Sequence, residues 1–236
     1  MTQDLKKEHG WYAKFNLKPL NDFKRIYYGV LFYHNRYPER QVDFGRKDIE
    51  QFIKATKAKV NYVYAHKFYA VYLAHFGRGL FNLKVKDWTY EIFLPMPELY
   101  QGSKELKQKY YYFTLFHELI HWTGCQFNLK RFTLEKPSKV NELSRTSEEI
   151  IAAFGCFFLM KKFSLVDDEI DERAMLYIKD YASALVYELS VLNIITLREN
   201  WVLSDYLKND AVVYQYMSNL MQKAKEAVEY LESFQK

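Results

Sequence analysis

The chain has 236 residues, of which 49% are hydrophobic and 27% are charged, and its formal net charge is +5. This composition is too apolar for a disordered protein, and the charge is too small to make the whole surface bind nucleic acid. No run of about 18 apolar residues is present, so we expect no membrane span and no membrane partner. The chain length suits one main domain. The 21 tyrosines and 18 phenylalanines predict that its core is bulky.

The cysteine content indicates a reducing compartment. Cys125 and Cys156 are the two cysteines, and they do not form a CxxC pair. A secreted domain held together by disulfides would contain more of them. We therefore expect a cytoplasmic protein in which both thiols are buried and inert.

Residues 1–45 are aromatic and basic and show no clear hydrophobic period. Residues 1–60 hold thirteen Lys or Arg against seven Asp or Glu, so this stretch has a positive balance and the rest of the chain is close to neutral. Such a segment suits weak contact with nucleic acid, although a solvated face is the commoner interpretation. We predict a short N-terminal appendage over 1–45 and a main domain over 46–236.

The main domain is predicted to open with a helix over 46–57 and to continue with short strands. Aromatic or β-branched runs separated by turn residues indicate a small antiparallel sheet. Its predicted strands are Val60–Tyr64, Ala70–Ala74, Gly79–Val85 and Thr89–Leu94. We expect the last strand to lie at an edge beside the next helix, where an extended peptide could pair with it.

The rest of the chain is predicted to be helical, which gives an α+β class. A helix should begin at Ser103 as N-cap and end at Gly124, and a polar loop over 126–145 should follow it. A buried helix over Thr146–Met160 comes next, because that run is apolar nearly all round. Further amphipathic helices are expected over 167–192, 200–208 and 211–234.

The motif His117-Glu118-Leu119-Ile120-His121 lies on the predicted helix from Ser103. Residues four apart share a helical face, so His117 and His121 can bind one tetrahedral zinc ion. Glu118 can then act as general base towards a water whose pKa the ion lowers to about 7. A chance match with two packed histidines is the alternative interpretation.

A third ligand should be a carboxylate at the start of a buried helix, where Glu148 and Glu149 stand. Glu149 shares its helical face with Ala153 and Cys156 and is the preferred ligand, with Glu148 as the substitute. The alternative is a capping box, in which Thr146 caps the helix and Glu149 at N3 reaches back to it.

Other candidates are weaker. His66 and His75 lie in the predicted sheet, where packing is the commoner role of an isolated histidine. Tyr177 and Tyr181 could donate a hydrogen bond to an oxyanion, but nothing in the sequence selects either of them over a packing role.

The runs YYYFTLFHELIHWTGCQFNLKR and SEEIIAAFGCFFLM, with IFLPMPELY before them and YLESF near the end, resemble the zincin-like metallopeptidase domain of the ArdC-type antirestriction family. The resemblance extends from about Asp48 to the C-terminus. It implies a zincin-like fold, with His117, His121 and Glu149 as ligands in a gluzincin-like set and Glu118 as base. Family members often carry an acidic residue where this chain has Ala153, and a front end of about 45 residues is too short for their separate DNA-binding domain.

These observations predict a zinc-dependent metallopeptidase-like protein of a mobile genetic element that hydrolyses peptide bonds of a protein or peptide substrate. The resemblance implies a role in antirestriction or host-defence evasion. One alternative is a non-catalytic module, stabilised by zinc, that binds single-stranded DNA or a host defence protein. Another is an inhibitor of host restriction that acts by contact.

Overall fold

The computed structural model describes residues 44–63, 71–75, 89–95, 97, 100, 102–125, 128–131 and 140–235. The N-terminal appendage, apart from its last two residues, lies outside these ranges, as do His66 and the predicted strand Gly79–Val85. Both the appendage and its contact with nucleic acid therefore stay predictions. The described elements are, in chain order, α1 (Lys47–Thr56), β1 (Lys59–Val63), β2 (Val71–His75), β3 (Thr89–Pro95), α2 (Lys104–Thr123), α3 (Val140–Lys162), α4 (Asp168–Val191), α5 (Leu203–Asn209) and α6 (Ala211–Ser233).

The described strands form one mixed sheet in the order β1-β3-β2. β2 pairs antiparallel with β3, but β1 pairs parallel with β3, with Lys59 opposite Glu91 and Val63 opposite Pro95. The predicted sheet was therefore wrong in being antiparallel throughout. The reason is topological: β3 lies between the two earlier strands, so β1 and β2 do not form the hairpin that their proximity in sequence suggests.

The predicted edge position of Thr89–Leu94 is also wrong, because β3 pairs on both sides within the described sheet. A peptide cannot pair with β3, since its neighbours already occupy its backbone groups. β3 does contact α2, as predicted. Ile92 and Leu94 lie on one face of the strand and are fully buried, which anchors the sheet in the core.

α2 begins where the sequence predicts. The Ser103 hydroxyl accepts a hydrogen bond of 3.2 Å from the Leu106 backbone N–H, so Ser103 is the N-cap. The helix ends at Thr123, and Gly124 follows with a right-handed φ of −77° rather than a left-handed turn. The second half of α2 is buried almost all round because β2, β3, α3 and α6 pack against it.

α3 is the central helix, in contact with α2, α4 and α6. Its burial confirms the prediction for this apolar run, but the helix begins at Val140 and not at Thr146. The polar loop predicted over 126–145 was therefore too long. Thr146 lies inside the helix, and its hydroxyl donates a hydrogen bond of 2.7 Å to Oε1 of Glu188 on α4. The capping-box interpretation of Thr146 and Glu149 is wrong, because N–H groups inside a helix already have partners.

α2 and α3 approach closely at Gly155. An added Cβ there would lie 2.7 Å from Cδ1 and 2.8 Å from Cγ1 of Ile120, which is fully buried. Glycine at this point brings the helix that carries the histidine motif against the helix that carries Glu149. Ile120 precedes His121 directly, so this contact lies next to the motif.

The later helices cover the other sides of α3, close to their predicted bounds. Asp167 caps α4 by accepting from Ile170 N–H, and Asp210 caps α6 by accepting from Val212 and Val213 N–H. Among the helices that the structure describes, none combines the length and apolar character needed to cross a membrane.

Candidate metal centre

α2 presents His117 and His121 on the same side, one turn apart. Both are buried, with 8% and 9% of their surfaces exposed. Their Nε2 atoms lie 3.1 Å apart, and their ring planes are nearly perpendicular at 86°. The four-residue spacing in the sequence therefore brings one nitrogen of each ring to the same point.

Glu149 reaches the same point from α3. Its Oε2 lies 3.3 Å from Nε2 of His117 and 3.6 Å from Nε2 of His121. Each of the three residues thus offers one ligand atom, and the three form a group that could hold a metal ion. Packing of α3 against α2 supplies this third atom, which the motif alone does not contain.

The size of this triangle suits a tetrahedral metal ion. Its edges measure 3.1, 3.3 and 3.6 Å. Ligands about 2.0–2.1 Å from a tetrahedral zinc ion are separated by roughly 3.3–3.4 Å from one another. The three ligand atoms therefore have about the spacing that a tetrahedral ion requires.

Glu148, the substitute ligand in the sequence interpretation, lies on the other side of His121. Its Oε1 is 3.4 Å from Nδ1 of that ring, while Nε2 faces Glu149. Arg131 binds both carboxylate oxygens of Glu148, at 2.7 and 3.1 Å. Ala153, one helical turn after Glu149, is buried and apolar, so the carboxylate beside His121 Nδ1 comes from Glu148.

Burial and ion pairing shift the pKa values in this cluster strongly. Burial lowers the pKa of His121, but hydrogen bonds to Glu148 and Glu149 outweigh it and raise that pKa to about 10. Burial raises the pKa of Glu149, yet the two histidines hold it well below its usual range. For Glu148 the effect of burial is likewise outweighed by hydrogen bonds from His121 and Arg131, so its pKa is lowered. Both carboxylates are thus ionised at neutral pH, as metal ligation and its support require.

Tyr177 on α4 completes the described surroundings. Its hydroxyl donates a hydrogen bond of 3.1 Å to Oε2 of Glu149, and its ring packs edge-on against His117 at 5.4 Å. The Tyr181 hydroxyl lies 3.4 Å from that of Tyr177. Burial, and then the charge of Glu149, raise the pKa of Tyr177, so this phenol keeps its proton. The sequence could not show which of the two tyrosines lies closer to the site. In the structure it is Tyr177 that donates a hydrogen bond to Glu149.

Glu118 is buried beside the two histidines, with 6% of its surface exposed.

The cysteines lie outside the three-atom group. Cys156 is fully buried, donates to the Phe113 carbonyl at 3.1 Å and has its pKa raised by burial. Cys125 is buried as well.

Sequence reasoning missed Arg131. It lies in the described segment 128–131 after α2 and contacts both this helix and α3. No helical period or motif marks it, because a loop residue finds its partners only when the helices pack.

The part of the chain that carries this site is similar to a known class of protein. The family model for the zincin-like metallopeptidases matches residues 84–192, which include the histidine motif and Glu149. The predicted resemblance to this metallopeptidase domain is thereby confirmed. None of the curated proteins matches the chain.

A solved structure is also similar to this chain: the antirestriction protein ArdC from plasmid R388 in its Mn(II)-bound form. The sequence identity is 21% and the TM-score is 0.45. The match covers 83% of this chain and 55% of that chain, so this chain spans little more than half the length of ArdC.

Proposed function

We propose that this protein is a zinc-dependent metallopeptidase-like enzyme that hydrolyses peptide bonds. His117, His121 and Glu149 hold the ion, and Glu118 is the general base. The proposal depends above all on one observation, the triangle formed by Nε2 of His117, Nε2 of His121 and Oε2 of Glu149. Two buried imidazoles and one carboxylate are the ligand set of catalytic rather than structural zinc, which usually has four protein ligands.

The type of ligand favours zinc among the divalent ions. Imidazole nitrogen suits zinc, copper, nickel and iron, whereas magnesium, calcium and manganese prefer oxygen ligands. Two nitrogens and one oxygen in a triangle of tetrahedral size match zinc best. When bound, the ion supplies Lewis acidity to the substrate carbonyl and to water.

The chain's own residues handle the protons. Glu118 takes a proton from the attacking water onto its carboxylate and passes it to the departing amide nitrogen. Tyr177 holds Oε2 of Glu149 by its hydrogen bond, and Glu148 holds the Nδ1 side of His121. These hydrogen bonds hold His121 and Glu149 from outside the triangle, so the two side chains lose less conformational freedom when the ion binds.

The test is elemental analysis of the purified full chain, combined with cleavage of a peptide library by the same samples. We expect about one zinc per chain in the wild type and little in His121→Ala or Glu149→Gln. Glu118→Gln should keep its zinc and lose about 100- to 10,000-fold in cleavage rate, the usual contribution of a general base.

Glu229→Gln is the matched control, because Glu229 is exposed on α6 and its loss removes the same charge. It should retain wild-type zinc and cleavage. A wild type that binds no zinc would refute the proposal. Zinc binding with no cleavage by any sample would instead favour a module that binds a partner or single-stranded DNA without turnover.

We further propose that this activity serves antirestriction or host-defence evasion for a mobile element, a role that the resemblance of the quoted sequence motifs supports. The test compares the transfer of unmodified DNA into a restricting host with and without the protein. Wild type should raise the transfer, and Glu118→Gln should not. Equal protection by both proteins would indicate inhibition by contact, and no protection would remove the role.

A further inference from the structure

Arg131 lies in the segment after α2 and links this segment to the end of α2 and to α3, close to His121. Its guanidinium donates to the Ile120 carbonyl at 2.7 Å and to Oγ1 of Thr123 at 2.7 Å, both near the end of α2. It also donates to both carboxylate oxygens of Glu148 on α3. Both side chains of this pair are only 9% exposed, so solvent competes little for these bonds.

The carboxylate that Arg131 holds is the one beside Nδ1 of His121. A metal-binding histidine that donates its second N–H to a carboxylate has its tautomer and ring orientation fixed. Here Nδ1 faces Glu148, which leaves Nε2 directed at Glu149. The position of Glu148 thus decides how the ring of His121 is presented.

We propose that Arg131 is a positioning residue for the metal site, acting on His121 through Glu148. This inference rests on the proposed function. The guanidinium fork fixes the plane of the Glu148 carboxylate through two parallel bonds, which one bond to a ring nitrogen does not do. Because Arg131 also binds Ile120 and Thr123, the carboxylate is held relative to the same helix that carries His121.

The same contacts make the segment after α2 part of the site. Without Arg131, a buried Glu148 would keep its charge beside His121 but lose most of its partners. Such a carboxylate can turn about its side-chain bonds, and the ring of His121 follows it. The ligand set would remain, but with a poorly defined geometry.

The experiment measures zinc affinity by competition with a chromophoric chelator and records the visible spectrum of the Co(II)-substituted full chain. Arg131→Met should bind zinc about 10- to 100-fold more weakly, the usual effect of losing an outer partner of a ligand, and its Co(II) spectrum should change. Arg131→Lys keeps the charge but lacks the guanidinium fork. Its zinc affinity should therefore lie between those of the wild type and Arg131→Met. Since the effect passes through Glu148, Arg131→Met should cost little further affinity in a Glu148→Gln background.

Arg46→Met is the matched control. Arg46 also binds a carboxylate by two nitrogens, that of Asp48, and donates to a helix-terminal carbonyl, that of Phe163. Phe163 lies about 20 Å from Glu149 along the direction of α3, at 1.5 Å per residue. This variant should keep wild-type zinc affinity and the wild-type spectrum.

Wild-type affinity and spectrum in Arg131→Met, with zinc lost in Glu149→Gln, would overturn this inference and leave the proposed metal site intact. If the Met variant does not fold, Arg131→Lys decides the question by the same readouts, and wild-type behaviour there overturns the inference. A wild type that binds no metal overturns the proposed function and this inference with it.

Discussion

The Tyr177 hydroxyl donates its hydrogen bond to Oε2 of Glu149, the same oxygen that faces the Nε2 atoms of both His117 and His121. This oxygen therefore has a partner from α4 in addition to the two from α2. A proton donor on a carboxylate oxygen restricts its rotation. α4 thus takes part in the geometry of a site whose proposed metal ligands lie on α2 and α3.

Tyr177→Phe should weaken zinc binding about tenfold, the lower end of the usual effect of losing an outer partner of a ligand. The ring and its packing against His117 remain, so only the hydrogen bond to Glu149 is removed. Tyr181→Phe is the control, because the hydroxyl that it removes contacts the hydroxyl of Tyr177. This variant should lose less zinc affinity than Tyr177→Phe. Competition with a chelator measures both, and equal affinities for Tyr177→Phe and wild type would show that the bond does not support Glu149.

Zinc affinity should depend steeply on pH. Burial lowers the pKa of His121, but the hydrogen bonds to Glu148 and Glu149 raise it overall to about 10. In protein freed of metal by chelation, this ring is therefore protonated at neutral pH, and zinc must displace the proton. Apparent affinity should rise about tenfold per pH unit between about pH 7 and pH 9, and fall as the pH is lowered.

Titration calorimetry in two buffers of different ionisation enthalpy checks this, because the released proton adds the heat of buffer protonation to the measured enthalpy. About one proton should be released per zinc. Binding that is independent of pH, with the same enthalpy in both buffers, would mean that His121 is neutral before zinc binds.

Sequence periodicity could predict the helix that carries the histidine motif, and the four-residue spacing fixes the relative direction of His117 and His121 once this helix forms. The same reasoning selected Glu149 over Glu148, although adjacent residues on a helix differ by only about 100° in direction. The pairing of the strands could not be predicted, because nothing local to β1 or β2 records that β3 lies between them. Arg131 was missed because its partners are far apart in sequence and meet only when α2 and α3 pack.

The position of Thr146 inside α3 leads to a stability prediction. Its hydroxyl donates to Glu188, and Thr146 is buried, with 5% of its surface exposed. Thr146→Val should lower the free energy of unfolding by about 1–3 kcal/mol, because the partly buried carboxylate of Glu188 loses this donor. Thr146→Ser keeps the donor and is the control for urea denaturation. Thr146→Asn separates the two interpretations of this residue: an N-cap would accept asparagine without loss, whereas this interior position should not.

The tight contact between α2 and α3 at Gly155 leads to a second stability prediction. A side chain at Gly155 must displace Ile120, whose Cδ1 and Cγ1 would lie 2.7 and 2.8 Å from the new Cβ. Gly155→Val should therefore lower the free energy of unfolding by roughly 1–3 kcal/mol, the usual effect of overpacking a core. It should also weaken zinc binding, because the helices that carry His121 and Glu149 are forced apart at this point.

Adding Ile120→Ala to Gly155→Val removes the three Ile120 atoms nearest to the new Cβ, so the double variant should be more stable than the sum of the two single effects predicts. Urea denaturation of the four proteins gives the coupling between the two positions, and chelator competition gives the zinc affinities. Recovery of zinc binding together with stability would show that helix separation, and not a local effect at Gly155, controls the site. Strictly additive losses would show that the two residues do not set the spacing of α2 and α3.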